Sequence, residues 1–191
     1  MELSPFLYHS LVRPKWINQF YVHNRIQKRL DLSNKRILDF GAGTGANCTL
    51  CQPGKYLGID PDEKRITLAK KLYPYYDFDV FRDDSLCVEK DSIDVILTIA
   101  VLHHISSDKL KNYVKQFRKV LKSDGMIVAI EPCLFKKSFI NNWYMKSMDN
   151  GSFIETEEFY HDLFRNEGFT CTTIQRFKKC FLYNEIFFIA K

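Results

Sequence analysis

No apolar run in this chain of 191 residues approaches the length that crosses a bilayer, so no membrane-spanning helix and no membrane partner are expected. Met1-Glu2-Leu3-Ser4-Pro5 has no basic stretch leading into an apolar core, and no secretory signal is expected. Repeats, linkers and low-complexity tracts are missing, which argues for a single domain over residues 1–191. The six cysteines follow no framework spacing, and reduced thiols in a cytoplasmic protein are the simplest reading. Cys48 and Cys51 form a Cys-x-x-Cys pair. Zinc would want two further ligands at suitable spacing and none stands out, so helix packing is the better reading and no metal is expected. What remains is 46% apolar and 27% charged, an ordinary balance for a globular chain long enough to bury a substantial core.

Glycine is sparse, eight residues in all, yet three fall at alternate positions in Arg36-Ile37-Leu38-Asp39-Phe40-Gly41-Ala42-Gly43-Thr44-Gly45. An apolar run ends there in a carboxylate, and the glycines follow. A second apolar run, Tyr56-Leu57-Gly58-Ile59, closes on Asp60 and Pro61. Strand, glycine turn, helix, strand and acid make half of a nucleotide-binding α/β sheet. The glycines let the backbone pass close under a ligand where a Cβ would collide. Asp60 is placed to accept hydrogen bonds from two ribose hydroxyls. Asp39 would stand beside a pyrophosphate and repel it, and the G-x-G-x-G spacing departs from the dinucleotide G-x-G-x-x-G. S-adenosylmethionine suits the loop better, since it carries an ammonium and a sulfonium and no phosphate.

Apolar residues at helical spacing (Trp16, Phe20, Ile26, Leu30) predict one amphipathic helix over 15–30, inside an N-terminal arm of residues 1–34. Strands are predicted over 36–40, 55–59, 77–82, 93–99 and 126–131. A short helix is expected between Gly45 and Pro53. A second starts with Pro61 as its first residue and runs to Tyr73. Two more are expected from Ser107-Asp108 to about Lys122 and over 157–167. The run 93–99 is almost continuously apolar, as in a parallel strand buried on both faces. The last strands, 169–177 and 181–190, are only three residues apart and must pair antiparallel.

Taken in order, these motifs resemble the class I (Rossmann-like) SAM-dependent methyltransferases over about residues 36–191, and among them the compact small-molecule or UbiE-like group. The resemblance implies an α/β fold with a seven-stranded sheet in the order 3-2-1-4-5-7-6, last strand antiparallel, helices on both faces. Residues 39–45 match the family's first motif. Gly58-Ile59-Asp60-Pro61 matches the second, where the acid binds the ribose. Arg82-Asp83-Asp84-Ser85-Leu86 stands at the Gly-Asp-Ala-like turn, with Asp83 in place of glycine. That match implies Asp84 at the adenine amino group and the Ser85 N–H at a ring nitrogen. Asp94-Val95-Ile96 followed by Ala100-Val101-Leu102-His103-His104 resembles the fourth-strand motif, which implies that carbonyls near Ala100 accept from the methionine ammonium. The implied cofactor-binding set is Asp39, Gly41, Ala42, Gly43, Asp60, Pro61, Asp84, Ser85 and Ala100.

Methyl transfer is an in-line displacement at an activated carbon, so alignment is the main task and a base is needed only if the acceptor loses a proton early. His103 and His104, after the fourth strand, are the candidates for that base, with Glu131 at the end of the fifth. A packing or hydrogen-bonding role is the competing reading for each. Cys133 reads as an ordinary thiol rather than a nucleophile. The expected acceptor is a small molecule, because the Asp/Asn-Pro-Pro-aromatic turn of base-amine methylation is replaced by Ala100-Val101-Leu102-His103. The main rivals are an RNA methyltransferase and a SAM-binding protein without turnover, with a nicotinamide oxidoreductase the weakest. The net charge of +5 resides in residues 1–36, which would serve RNA, although charge runs are commonly only a solvated helix face. In the insertion 133–155, Phe135, Phe139 and Trp143 recur every four residues, which reads either as core or as a lid over the acceptor.

Overall fold

The computed structural model describes residues 15–148 and 153–191. Contacts divide the chain into two compact units, 1–83 and 84–191, taken here in turn.

In the first unit, β1 (Ile37–Phe40), β2 (Tyr56–Asp60) and β3 (Asp77–Val80) form a parallel set in the order β3-β2-β1. All four residues of β1 are buried, Asp39 included. Helix α2 (Glu63–Leu72) packs on β2 and β3. Its N-cap is Asp62, whose carboxylate accepts from Lys64 N at 2.9 Å and Arg65 N at 3.0 Å. Pro61 therefore lies ahead of the cap instead of opening the helix, because the side chain that satisfies the first amides belongs to Asp62. The helix expected after Gly45 is reduced to one 3-10 turn, Cys48–Leu50. Pro53 follows closely and cannot donate to a helical ladder, which leaves no length for more.

The N-terminal helix α1 is built from an α-turn (Lys15–Asn18), a π-turn (Gln19–His23) and a second α-turn (Asn24–Gln27). The π-turn rotates the face that follows it. Asn18, Val22, His23 and Ile26 are buried, whereas Trp16 and Phe20 are 68% and 57% exposed. The expected stripe through Trp16, Phe20 and Ile26 is thus broken at its N-terminal end.

In the second unit, β4 (Ile93–Ile99) pairs parallel with β5 (Leu121–Leu134), β8 (Tyr183–Ala190) pairs antiparallel with β5, and β7 (Cys171–Lys179) antiparallel with β8. A two-residue strand, β6 (Glu155–Thr156), joins the end of β5. Leaving β6 aside, the orders 3-2-1 and 4-5-7-6 are those expected within each unit. Strand β5 starts earlier than expected: Leu121 pairs with Ile93, and the register shifts before Met126 meets Val95. Helix α3 (Ser107–Val120) buries Leu110, Tyr113, Val114, Phe117 and Val120, the three-and-four spacing of one apolar face. Helix α4 (Phe139–Met148) buries only Asn141 and Met145. Phe139, Ile140 and Trp143 are 78%, 74% and 70% exposed, so the aromatic stripe of the insertion is not core. Helix α5 (Glu157–Arg165) is capped by Thr156, whose hydroxyl accepts from Phe159 N.

Gly45 adopts φ +81°, and a Cβ there would lie 2.6 Å from the Phe78 ring. Gly45→Ala is therefore expected to cost about 1–3 kcal/mol through overpacking. A urea midpoint equal to the parent's would show that the ring moves aside freely.

Candidate active site

The glycine loop of the first unit hangs on two strand ends. Gly41 N and Ala42 N both donate to Ile59 O at 2.9 Å, and Gly43 N donates to Asp60 Oδ2 at 2.9 Å. Asp60 Oδ1 accepts from Asp62 N, also at 2.9 Å. One carboxylate, 5% exposed, thus ties the loop to the start of α2. Burial raises the Asp60 carboxyl above its ordinary value, and the two amides partly restore it. Gly43 adopts φ +56°, and a Cβ there would meet nothing within 4 Å, so the loop leaves open space at that point.

Asp39 is turned inward. Tyr56 OH donates to its Oδ2 at 2.6 Å, and Asn47 Nδ2 donates to the same oxygen at 3.2 Å. Burial, reinforced by Asp39, pushes the Tyr56 hydroxyl well up, which keeps it a donor. The chain of polar groups continues outward. Asn18 Nδ2 lies 3.4 Å from Asn47 Oδ1 and 2.8 Å from His23 Nε2. His23, Asn18, Asn47, Asp39 and Tyr56 therefore connect α1 to the strand end beneath the loop. Nothing in the sequence marked Asn18, His23 or Asn47. They are polar residues on apolar faces, a pattern without period, and only the fold brings them together.

In the second unit, the turn after β4 is gathered by Glu131, which is fully buried on β5. Its Oε1 accepts from Val101 N and Leu102 N, each at 3.0 Å, and its Oε2 lies 2.9 Å from His103 Nδ1. A carboxylate that already accepts two amides takes a further hydrogen bond from His103 Nδ1. His103 is buried, and the exposed His104 lies against it with ring centroids 4.0 Å apart and the ring planes tilted by 41°. The structure thus brings His103, His104 and Glu131 together. Ala100, just before this turn, holds φ +53°, a costly conformation for a residue with a Cβ, of the kind that collects at ligand sites. Its N–H donates to Ile130 O at 2.8 Å.

Asp84 is deployed differently from the sequence reading. Its carboxylate accepts from Lys109 Nζ at 2.7 Å and from the Tyr113 hydroxyl, both on α3. These bonds hold its carboxyl below the usual range, Lys109 first and Tyr113 second. Gln116 bonds the Asp84 carbonyl and the Leu86 amide. The turn is thereby sewn to α3, and the exposed Ser85 sits at its bend.

Burial pushes the Cys48 and Cys133 thiols up to about 12 and Cys51 to about 11, which disfavours the thiolate at these three positions. Among the described residues no group of three His, Cys, Asp or Glu side chains is arranged to hold a metal ion.

His23 provides a pH test of the polar chain. Burial pushes its imidazole below the ordinary value, against hydrogen bonds with Asn47 and Ala46 that pull it up. The unfolded chain then binds protons that folded His23 refuses, so its contribution is present above the ordinary histidine range and is lost on acidification. Urea melts between about pH 7.5 and about pH 5.5 should show stability falling, and His23→Gln should flatten part of that fall. An identical slope in the variant would remove His23 from the account.

Comparison with known proteins gives the family and the fold. The methyltransferase domain family matches residues 16–174. An uncharacterized methyltransferase of Oceanobacillus iheyensis, OB1106, is 34% identical over 102 residues, 50% of this chain and 46% of that protein. One from Bacillus mycoides is 32% identical over 104 residues, 51% and 49% respectively. The chain spans about half the length of the curated relatives it matches. Among solved structures, the YcgJ protein of Bacillus subtilis superposes with a TM-score of 0.71 at 16% identity, over 87% of this chain and 95% of that one. Human N-acetylserotonin methyltransferase, solved in complex with SAM, gives 0.72 at 20% identity over 98% and 55%. These likenesses show the fold, an α/β architecture with a mixed sheet flanked by helices. With the motif order, the glycine loop and the matched span in accord, the chain belongs to the methyltransferase domain family.

Proposed function

We propose that this protein is a SAM-dependent methyltransferase of the compact small-molecule, UbiE-like group, and that it methylates a small acceptor. The observation that carries the cofactor assignment is the acid-bearing loop of the first unit. Asp60 lies under Gly43, where a Cβ would fill open space, and the loop leads into a single 3-10 turn. A diphosphate wants a helix N-terminus with its dipole, and one short turn has little to offer. A ligand with ribose hydroxyls and a cationic head finds acceptors instead.

In this reading Asp60 holds the ribose hydroxyls, and Gly41, Ala42 and Gly43 pass beneath them. Asp39 supports the loop from below through its bonds to Tyr56 and Asn47. The Ala100 carbonyl region takes the ammonium. Asp84 anchors its turn on α3, and the Ser85 amide meets the adenine. Bound S-adenosylmethionine supplies a methyl group already activated by its sulfonium. What the chain must add is alignment and, for an acceptor that loses a proton early, a base. His104, exposed and lying against the buried His103, is that base, while Glu131 holds the turn that carries both rings. Of the basic residues in the N-terminal arm, Arg25 is engaged within the chain: it donates to Phe20 O at 2.6 Å and lies over the Phe20 and Tyr21 rings.

Calorimetric titration should show binding of S-adenosylmethionine and none of NAD, and Asp60→Ala should weaken the former at least about tenfold, as loss of a charged acceptor does. Equal affinity in the variant would count against the cofactor assignment. A metabolite screen with isotopically labelled cofactor then identifies the acceptor. Cofactor binding without any labelled product would favour a SAM-binding protein without turnover, and labelling of RNA that fades steeply with salt would favour the RNA reading. With the acceptor in hand, His104→Gln is expected to lower kcat about a hundredfold with little change in KM. An unaltered kcat would end the base assignment and leave the cofactor site standing.

A further inference from the structure

We infer that α4 and the tip between β7 and β8 form one docking surface for an anionic lipid membrane. Phe139, Ile140 and Trp143 on α4 are exposed, as given above, and Phe181 and Leu182 at the tip are 88% and 42% exposed. The two elements are fastened together. Asn141 Nδ2 donates to Phe181 O at 3.0 Å, Asn184 Nδ2 to Asn142 Oδ1 at 3.3 Å, and Asn184 N to Met145 Sδ at 3.2 Å. The exposed apolar groups therefore sit on two elements that are bonded to each other, and grouped apolar surface is seldom left to water without a use. The tip is also strained: Cys180 and Phe181 hold φ +48° and +65°. A bulky residue in the left-handed region that turns its ring outward resembles the strain kept at binding sites.

Charge identifies the occupant. Residues 132–148 contain Lys136, Lys137 and Lys146 and no acid, and residues 172–184 contain Arg176, Lys178 and Lys179 and no acid. Lys136 pairs with Glu158 at 2.8 Å, Arg176 with Glu157 at 2.5 Å and Lys179 with Glu185 at 3.5 Å. Lys137, Lys146 and Lys178 have no ion-pair partner among the described residues. An apolar centre beside unpaired lysines matches the boundary between acyl chains and anionic headgroups. Phe139, Trp143 and Phe181 carry π-faces on which bases stack, so the test below separates single-stranded RNA from a membrane. Residues 1–14 offer one acid, Glu2, which is a poor match for three lysines. The contact is peripheral, since no helix among the described residues is long and apolar enough to cross a membrane.

The test uses the full chain and vesicles of phosphatidylcholine with about one third phosphatidylglycerol, against pure phosphatidylcholine. The sequence has two tryptophans, so Trp16→Phe makes Trp143 the sole reporter. Flotation with the anionic vesicles and a blue shift of Trp143 emission are expected. Absence of either overturns the inference. The double variant Trp143→Ala/Phe181→Ala keeps every charge and should bind at least about tenfold more weakly. Undiminished binding would mean adsorption by net charge alone and would overturn it too. Lys137→Glu/Lys178→Glu should also weaken binding at least about tenfold. Capture of single-stranded RNA through Trp143, without vesicle binding, would assign the face to nucleic acid instead. All substituted positions are exposed or at the surface rim, and circular dichroism checks that each variant folds. The vesicle result stands apart from the methyltransferase reading, which calorimetry decides.

Discussion

The Asp60 carboxylate holds two backbone amides at once, Gly43 N above β1 and Asp62 N at the start of α2. Every other feature of the first unit's loop follows from that constraint. The loop must turn tightly enough to bring Gly43 within reach, which requires positive φ at Gly41, Gly43 and Gly45. The acid must be nearly buried to make both bonds, and burial then raises its carboxyl. A carboxylate held by short, fixed bonds has little freedom left to lose, and under the proposed function that makes it a preformed acceptor for the ribose.

The second unit repeats the device with different chemistry. Glu131 gathers two amides and an imidazole into one buried carboxylate. Removing water from such a group is expensive, and the three partners are what make it tolerable. The consequence is a turn after β4 that cannot rotate its histidines freely. His103 is buried beneath the exposed His104, whose ring lies tilted against it. Under the proposed function the outward ring takes the proton and the buried pair positions it.

Much of this was legible beforehand, and the reasons differ by element. The strands showed themselves through continuous apolar runs and the hairpin through its three-residue connection. The glycine loop was legible because glycine takes positive φ at the least cost. The one-turn helix after Gly45 was over-read, since the sequence shows where Pro53 ends a helix but not how many residues the loop consumes first. The motif singled out Asp84, and its carboxylate bonds Lys109 and Tyr113. Those residues sit one turn apart on α3, and no local pattern couples them to a distant aspartate.

By itself, then, the sequence determined periodicities and backbone freedoms: where strands run, where φ must be positive, and which residues lie along one side of a helix. These depend on neighbours within a few positions. Tertiary structure alone decided what each side faces. It left Phe139, Ile140 and Trp143 in solvent, rotated Trp16 and Phe20 outward through a π-turn, and joined Glu131 to His103 and Asn47 to Asp39. A stripe of apolar residues records that a face exists. Whether that face meets core, water or a partner depends on chain brought from far along the sequence.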